Sequence, residues 1–117
     1  MIKKDVVAGL GEIGKPILQL ISNTVSVIGY DLNSKLVDKK LVRKYGKLET
    51  RILHVCIPFT KNFVSDILKL YKEFQPECIV VHSTISPGTT KQVQTVLSIP
   101  IIYSATRGVH KRMLYDL

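Results

Sequence analysis

Three glycines near the amino terminus have the spacing of a phosphate-binding turn. Gly9, Gly11 and Gly14 form GLGEIG, a GxGxxG pattern between a strand-like run and a helix-like run. In such a turn the first glycine permits the tight bend, the second lets the backbone approach a pyrophosphate, and the third lets the helix pack closely on the strand. The helix N-terminus adds N–H groups and a partial positive charge. The pattern therefore predicts a dinucleotide as ligand.

An acidic residue ends the second predicted strand. Asp31 follows Gly9 by 22 residues, where a carboxylate can accept both ribose hydroxyls of an adenosine. It would repel a 2′-phosphate, which favours NAD over NADP as the cofactor. Lys35 and the basic segment behind it argue the other way, because they could bind that phosphate. The alternative is a glycine turn that serves packing alone, with Asp31 as a helix cap.

Histidines and cysteines supply few further candidates. His82 ends the fourth predicted strand and is the candidate for a catalytic base, with a satisfied structural histidine as the alternative. His54 lies in mid-strand and is predicted to be packed or at a sheet edge. Cys56 and Cys78 lie in apolar runs and are predicted to be small buried hydrophobic residues, not a disulfide pair. Their spacing to the histidines does not match a zinc site, so no metal is predicted.

The predicted elements alternate between strand and helix. Apolar periodicity and turn residues predict strands at 5–10, 24–30, 51–57, 78–82 and 101–103. They predict helices at 13–22, in the basic segment after Lys35, from Thr60 as cap to about Gln75, and from Thr89 or Thr90 with Val93, Val96 and Leu97 on its apolar face. This alternation predicts a doubly wound, Rossmann-like α/β fold of about five mainly parallel strands with helices on both faces. Ligands bind such sheets beyond the carboxyl ends of the strands.

Composition limits the class of protein. A chain of 117 residues with 45% hydrophobic and 22% charged residues is typical of one soluble folded domain. We find no apolar run of the roughly 18 to 20 residues that cross a bilayer and no signal peptide, so the predicted location is cytoplasmic, without a membrane partner. Of the net charge of +8, residues 35–51 carry +5, from seven basic and two acidic residues. Nucleic acid is disfavoured as a partner because few aromatic residues interleave with these charges.

Three segments carry recognisable motifs: GLGEIGKP at 9–16, CIPFT at 56–60 and STISPGTT at 83–90. They resemble the GLGYVGLP-type opening, the VPT turn and the STVPPGTT-type turn of one enzyme family, the NAD-dependent nucleotide-sugar 6-dehydrogenases. The family comprises the UDP-glucose and GDP-mannose dehydrogenases and lies within the 6-phosphogluconate dehydrogenase-like group. The resemblance covers roughly residues 4–104.

The resemblance implies a cofactor site and a domain division. It implies that residues 1–104 are a dinucleotide-binding Rossmann domain and that 105–117 are a tail, the start of a segment absent from this chain. A nucleotide sugar or another anionic small molecule would be the further ligand. The implied pyrophosphate contacts are Gly9, Gly11, Glu12, Ile13 and Gly14, the adenine-ribose contact is Asp31, and the residues bordering the nicotinamide half are Pro58, Thr60, Ser83 and Thr84.

Two departures from the family concern catalysis. The Pro-Glu signature after the next strand is replaced by SATRGVH at 104–110, and the family's catalytic Lys and Cys and its substrate domain have no counterpart. The hypothesis is therefore the NAD-binding domain of a nucleotide-sugar dehydrogenase-like oxidoreductase, as a fragment or a shortened relative. The alternative is a non-catalytic nucleotide-binding regulatory module. Whether the chain forms a homodimer stays open.

Overall fold

Strands and helices alternate along the chain, as predicted. The computed structural model describes residues 2–58, 60–82 and 89–104, and of 89–91 only the backbone. The elements are β1 (Lys4–Ala8), α1 (Gly14–Ile21), β2 (Val27–Tyr30), a 3₁₀ turn (Ser34–Leu36), α2 (Lys39–Tyr45), β3 (Thr50–Val55), α3 (Phe63–Phe74), β4 (Cys78–Val81), α4 (Thr89–Val96) and β5 (Ile101–Tyr103).

The five strands form one parallel sheet in the order β2-β1-β3-β4-β5. This confirms the doubly wound α/β fold. The chain moves from β1 to β2 on one side and then crosses back to place β3 on the other side of β1. The winding direction therefore reverses between β1 and β3. Beyond the carboxyl ends of these two strands lies the crevice where sheets of this kind bind ligands.

Helices cover both faces of the sheet, but unequally. Val6 and Ala8 of β1 pack in the cluster that α3 and α4 bury, together with Leu53 of β3. The alternate residue Val7 packs on the opposite face, against Ile17 of α1. α3 and α4 lie on one face and α1 on the other, whereas Leu41 of α2 packs against the clusters on both faces. The part of the second face over β3 to β5 holds partly exposed side chains, including Ile102, 53% exposed.

Two strands are shorter than the sequence predicted. β1 ends at Ala8 and not at Leu10, because the chain turns at Gly9. β2 begins at Val27 and not at Thr24. Val96, predicted to lie on the apolar face of α4, is 62% exposed, so that part of the prediction is wrong. Val93 and Leu97 are buried as expected.

The helices are short. α3 has 12 residues and ends where Gln75 adopts a left-handed conformation with φ of 46°, just before Pro76, which cannot continue the helix. Among the described residues, no helix has the length and apolar character needed to span a bilayer.

Candidate functional site

Two glycines of the turn after β1 are required by the protein's own packing. Gly9 has φ of +95°, and a Cβ built on it would lie 2.8 Å from the backbone carbonyl of Cys56. A Cβ on Gly14 would lie 1.6 Å from the carbonyl oxygen of Gly9. Any larger residue at either position would force the turn, β3 and α1 apart. The roles predicted for these two glycines, the tight bend and the close helix packing, match this geometry.

Gly11 is different from its neighbours in the turn. A Cβ built there meets no atom within 4 Å, and its φ lies outside the left-handed region. Neither packing nor backbone conformation in the described structure therefore requires a glycine at this position. A turn that serves packing alone explains Gly9 and Gly14 but leaves Gly11 unexplained.

The N-terminus of α1 adjoins this space. The helix begins at Gly14, and the side chain at its N-cap, Ile13, makes no capping hydrogen bond. The Ile13 side chain packs in the core beneath α1, and Glu12 is exposed. What these two residues can offer an anion at the turn is thus their backbone N–H groups, supported by the dipole of the helix.

Asp31 ties the end of β2 to the glycine turn. Its Oδ2 accepts a hydrogen bond of 2.8 Å from the N–H of Leu10, and its Oδ1 accepts one of 2.8 Å from the N–H of Asn33. The helix caps are other residues: Asn33 caps the 3₁₀ turn and Asp38 caps α2. The alternative of Asp31 as a helix cap is therefore wrong. Each carboxylate oxygen keeps a further lone pair for a ligand hydroxyl.

A cavity of about 360 Å³ opens at the carboxyl ends of β1, β2 and β3. This is within the roughly 300 to 1,000 Å³ that small-molecule sites occupy. Four residues predicted for the cofactor site line it together: Gly9, Asp31, Pro58 and Thr60. The other lining residues were not predicted; they are Tyr30, Leu32, Ile57, Asp66, Lys69, Leu70 and Glu73.

The polar residues that α3 contributes to the cavity were not predicted from the sequence. Asp66, Lys69 and Glu73 follow one another at intervals of three and four residues, which places them along one side of the helix. In the sequence these three residues form a polar stripe next to the apolar face of Phe63, Ile67 and Leu70, and this stripe could have indicated them. Its relation to Asp31 becomes visible only once α3 packs beside the crevice.

The prediction that Thr60 caps α3 is wrong. The helix begins at Phe63, with Asn62 at the N-cap position. Thr60 lies in the turn before it, where its Oγ1 accepts from the N–H of Asn62 at 3.2 Å and its carbonyl accepts from the N–H of Phe63 at 3.0 Å. Thr60 is exposed at the cavity instead.

The two mid-sheet histidines belong to one hydrogen-bonded group. His54 Nδ1 lies 3.0 Å from His82 Nε2, and His54 Nε2 lies 3.2 Å from Asp5 Oδ2. Arg51 donates to both oxygens of Asp5, at 3.1 and 3.0 Å. His82 is 1% exposed, and burial together with the charge of His54 lowers its pKa to about 4. The sequence placed His54 correctly within β3, whereas His82 lies one residue beyond the end of β4 and not in the strand, and the contact between them was not predicted.

Neither cysteine forms a disulfide, as predicted. Cys56 is buried in the cluster under α1, and Cys78 is partly buried in β4. Burial raises the pKa of the Cys56 thiol to about 12, so it stays protonated and is a poor nucleophile. Ser83 and Thr84, predicted to border the nicotinamide half, lie outside the described residues, as does the tail 105–117.

The fold and the turn define a Rossmann-like α/β protein: a five-stranded parallel sheet with a glycine turn at its switch point. No protein-family model matches the chain, and a comparison with curated proteins gives no match.

Proposed function

We propose that this chain binds NAD, as the dinucleotide-binding domain of an oxidoreductase similar to the nucleotide-sugar 6-dehydrogenases. The observation that carries the proposal is Gly11. Its two partner glycines are required by packing, whereas a Cβ on Gly11 would meet no described atom within 4 Å. A pyrophosphate approaching the backbone there would explain why this position has no side chain.

The glycine turn and Asp31 suit a bound dinucleotide. Backbone N–H groups from Gly11 to Gly14 would hold the pyrophosphate, since the N–H groups of Gly9 and Leu10 already donate to Tyr30 and Asp31. Asp31 would accept the adenine-ribose hydroxyls with its remaining lone pairs. The cavity beside Asp31 has an apolar lining that suits an adenine ring, with Leu32 and Ile57 among its residues. The bound dinucleotide would supply two-electron redox chemistry.

Charge at the cavity favours NAD over NADP. Among the described residues, Asp31, Asp66 and Glu73 line the cavity, and Lys69 is the one basic residue that does. A 2′-phosphate placed there would meet three carboxylates. Lys35, which could have bound such a phosphate, is not among the described residues that line the cavity.

The narrower parts of the proposal rest on the sequence. The resemblance supports a nucleotide-sugar dehydrogenase-like enzyme. Cysteines without a disulfide are usual in a reducing compartment, which supports a cytoplasmic location. A non-catalytic nucleotide-binding module remains the second candidate, because it needs the same site and no catalytic residues.

The test is calorimetric titration of the purified chain with NAD, NADH, NADPH and flavin mononucleotide. The flavin is included because sheets of order 2-1-3-4-5 also bind it at the switch point. We expect NAD and NADH to bind, and NADPH to bind more weakly.

The Gly11→Val variant tests whether the glycine turn is responsible for NAD binding. Its Cβ meets no atom of the described structure, so we expect thermal unfolding like that of the original chain, together with loss of NAD binding. A folded Gly11→Val protein that still binds NAD would contradict the proposal. Preferential binding of flavin mononucleotide would also contradict the proposal.

A further inference from the structure

The polar side of α3 gives the cavity three charged residues, and one of them differs from the other two. Asp66, Lys69 and Glu73 all line the cavity. Lys69 and Glu73 are exposed, whereas Asp66, in the first turn of the helix, is partly buried. The carboxylate of Asp66 is therefore the least exposed charge that α3 presents to this space.

The Asp66 carboxylate has no partner within the part of the chain that the structure describes. It accepts no hydrogen bond there, and the ammonium group of Lys69, one turn further along α3, forms no ion pair with it. Asp31 differs in this respect, because both of its oxygens accept from backbone N–H groups. Asp66 thus offers the cavity an acceptor at which a ligand with a donor group can gain a hydrogen bond.

Packing at both ends of α3 fixes the position of Asp66. The inner side of the helix is buried in the core, and its buried residues are Phe63, Ile67 and Leu70. At the far end, the rings of Phe74 and Tyr30 meet edge to face with their centroids 5.4 Å apart, which joins the helix to the end of β2. A side chain on an element held in this way can recognise a particular arrangement of donors and acceptors.

The remaining lining of the cavity suits a flat ring, and the edge of a purine ring carries the chemistry that Asp66 can distinguish. Leu32, Ile57 and Leu70 supply apolar surface. The edge of adenine presents the 6-amino group, a donor, next to the acceptor N7, whereas guanine presents the acceptor O6 in place of the donor. Hypoxanthine carries the same carbonyl oxygen. Because an ionised carboxylate can only accept, Asp66 can bind the amino group and repels the carbonyl oxygen.

We propose that Asp66 selects adenine as the base of the bound dinucleotide. Its carboxylate accepts a hydrogen bond from the 6-amino group and disfavours purines that carry a carbonyl oxygen at that position. The inference rests on the proposed function, because it needs the adenine half of NAD to lie in this cavity. Lys69 can donate to N7, which both kinds of purine share, and that contact does not distinguish them.

Calorimetric titration of the wild-type chain with NAD and with nicotinamide hypoxanthine dinucleotide tests the inference. The two probes differ in the base alone, where a carbonyl oxygen replaces the 6-amino group. We expect NAD to bind at least about tenfold more tightly, the ratio that one hydrogen bond to a charged group provides.

The same titrations separate failure of the inference from failure of the proposed function. Equal affinities, or tighter binding of the hypoxanthine dinucleotide, would overturn the role of Asp66 and leave NAD binding intact. If neither dinucleotide binds, the proposed function is wrong and the inference falls with it.

Asp66→Asn assigns the preference to this residue. The amide oxygen can accept from an amino group and the amide nitrogen can donate to a carbonyl oxygen, so we expect the preference for NAD over the hypoxanthine dinucleotide to disappear. Glu73→Gln is the matched control, because it removes the same charge from an exposed residue of the same cavity wall and should retain the preference. Circular dichroism checks that both variants are folded. A preference that Asp66→Asn retains, or one that both variants lose equally, contradicts the proposal.

Discussion

Asp31 joins two parts of the candidate site through a single carboxylate. It accepts from Leu10 in the glycine turn and from Asn33 beyond β2, at 2.8 Å each. These bonds hold the turn against the end of β2 and orient the carboxylate oxygens at the edge of the cavity. The residue therefore has a structural role that exists without a ligand, in addition to the proposed contact with ribose.

Replacing Asp31 by Asn tests the proposed contact. The amide keeps one acceptor oxygen, so one of the two backbone bonds can persist, while the charge and the second acceptor are lost. We expect NAD affinity to fall by roughly 1 to 3 kcal/mol, the cost of losing charge-assisted hydrogen bonds. Affinity for NADP should fall less, because repulsion of its 2′-phosphate is removed. Both are measured by calorimetric titration.

The ratio of the two affinities provides the control. A distortion of the turn would weaken both dinucleotides equally, whereas loss of a ribose contact narrows the gap between them. Lys35→Ala serves as the comparison variant, since Lys35 is exposed and does not line the cavity. If Lys35→Ala weakens NADP selectively while Asp31→Asn leaves the ratio unchanged, the basic segment sets the cofactor preference.

At the scale of elements, the closest approach in the site is between α1 and the turn after β1. Gly14 opens the helix directly against the carbonyl oxygen of Gly9, and the Cβ of any other residue would lie 1.6 Å from it. The helix carries Ile17 and Leu18 into the core against Val7 and Val27. The position of α1 on the sheet thus depends on the absence of a side chain at one residue.

Gly14→Ala should therefore destabilise the fold. The added methyl group meets rigid backbone, and α1 can relieve the clash only by moving off the sheet and losing part of its buried contacts. Overpacking of this kind costs about 1 to 3 kcal/mol, and we expect the upper end of that range in urea unfolding. Gly11→Ala is the matched control, because the same methyl group meets nothing there. Equal stability of the two variants would contradict the packing geometry around Gly14.

At the scale of the whole molecule, the buried His82 makes folding stability depend on pH. In the folded chain the pKa of His82 is lowered from 6.5 to about 4, so the folded state binds fewer protons than the unfolded state between these values. Stability should then be complete above pH 6.5 and fall as the pH falls toward 4. A shift of this size corresponds to roughly 3 kcal/mol at pH 4.

Urea unfolding at pH 7.5 and pH 5 measures this dependence. The comparison variant is His82→Gln, which removes the titrating ring at the buried position. It should be less stable at pH 7.5 but lose less stability on acidification. Equal stability of the wild-type chain at both pH values would contradict the lowered pKa.

The sequence by itself determined the elements and the turn. Apolar periodicity predicted all five strands and the four α-helices, because a parallel sheet buried on both faces needs continuous apolar runs and its covering helices need one apolar side. The glycine spacing predicted the roles of Gly9 and Gly14, although the close approach of Cys56 to Gly9 became visible only in the fold. Exact ends were less predictable: Leu10 continues an apolar run but lies beyond the bend at Gly9, and Thr60 has the chemistry of a cap but precedes α3 by an extra turn.

Only the tertiary structure decided which distant residues meet. Asp31, Pro58 and the polar side of α3 line one cavity because β2 and β3 flank β1, an order that local patterns do not encode. The contact of Asp5 with His54 and of His54 with His82 depends on the register of three strands, and a shift of one residue would turn His54 to the other face. Register is set by the packing of the whole sheet. The sequence therefore predicted the glycine turn and Asp31 of the site, whereas the hydrogen-bonded pair of histidines required the fold.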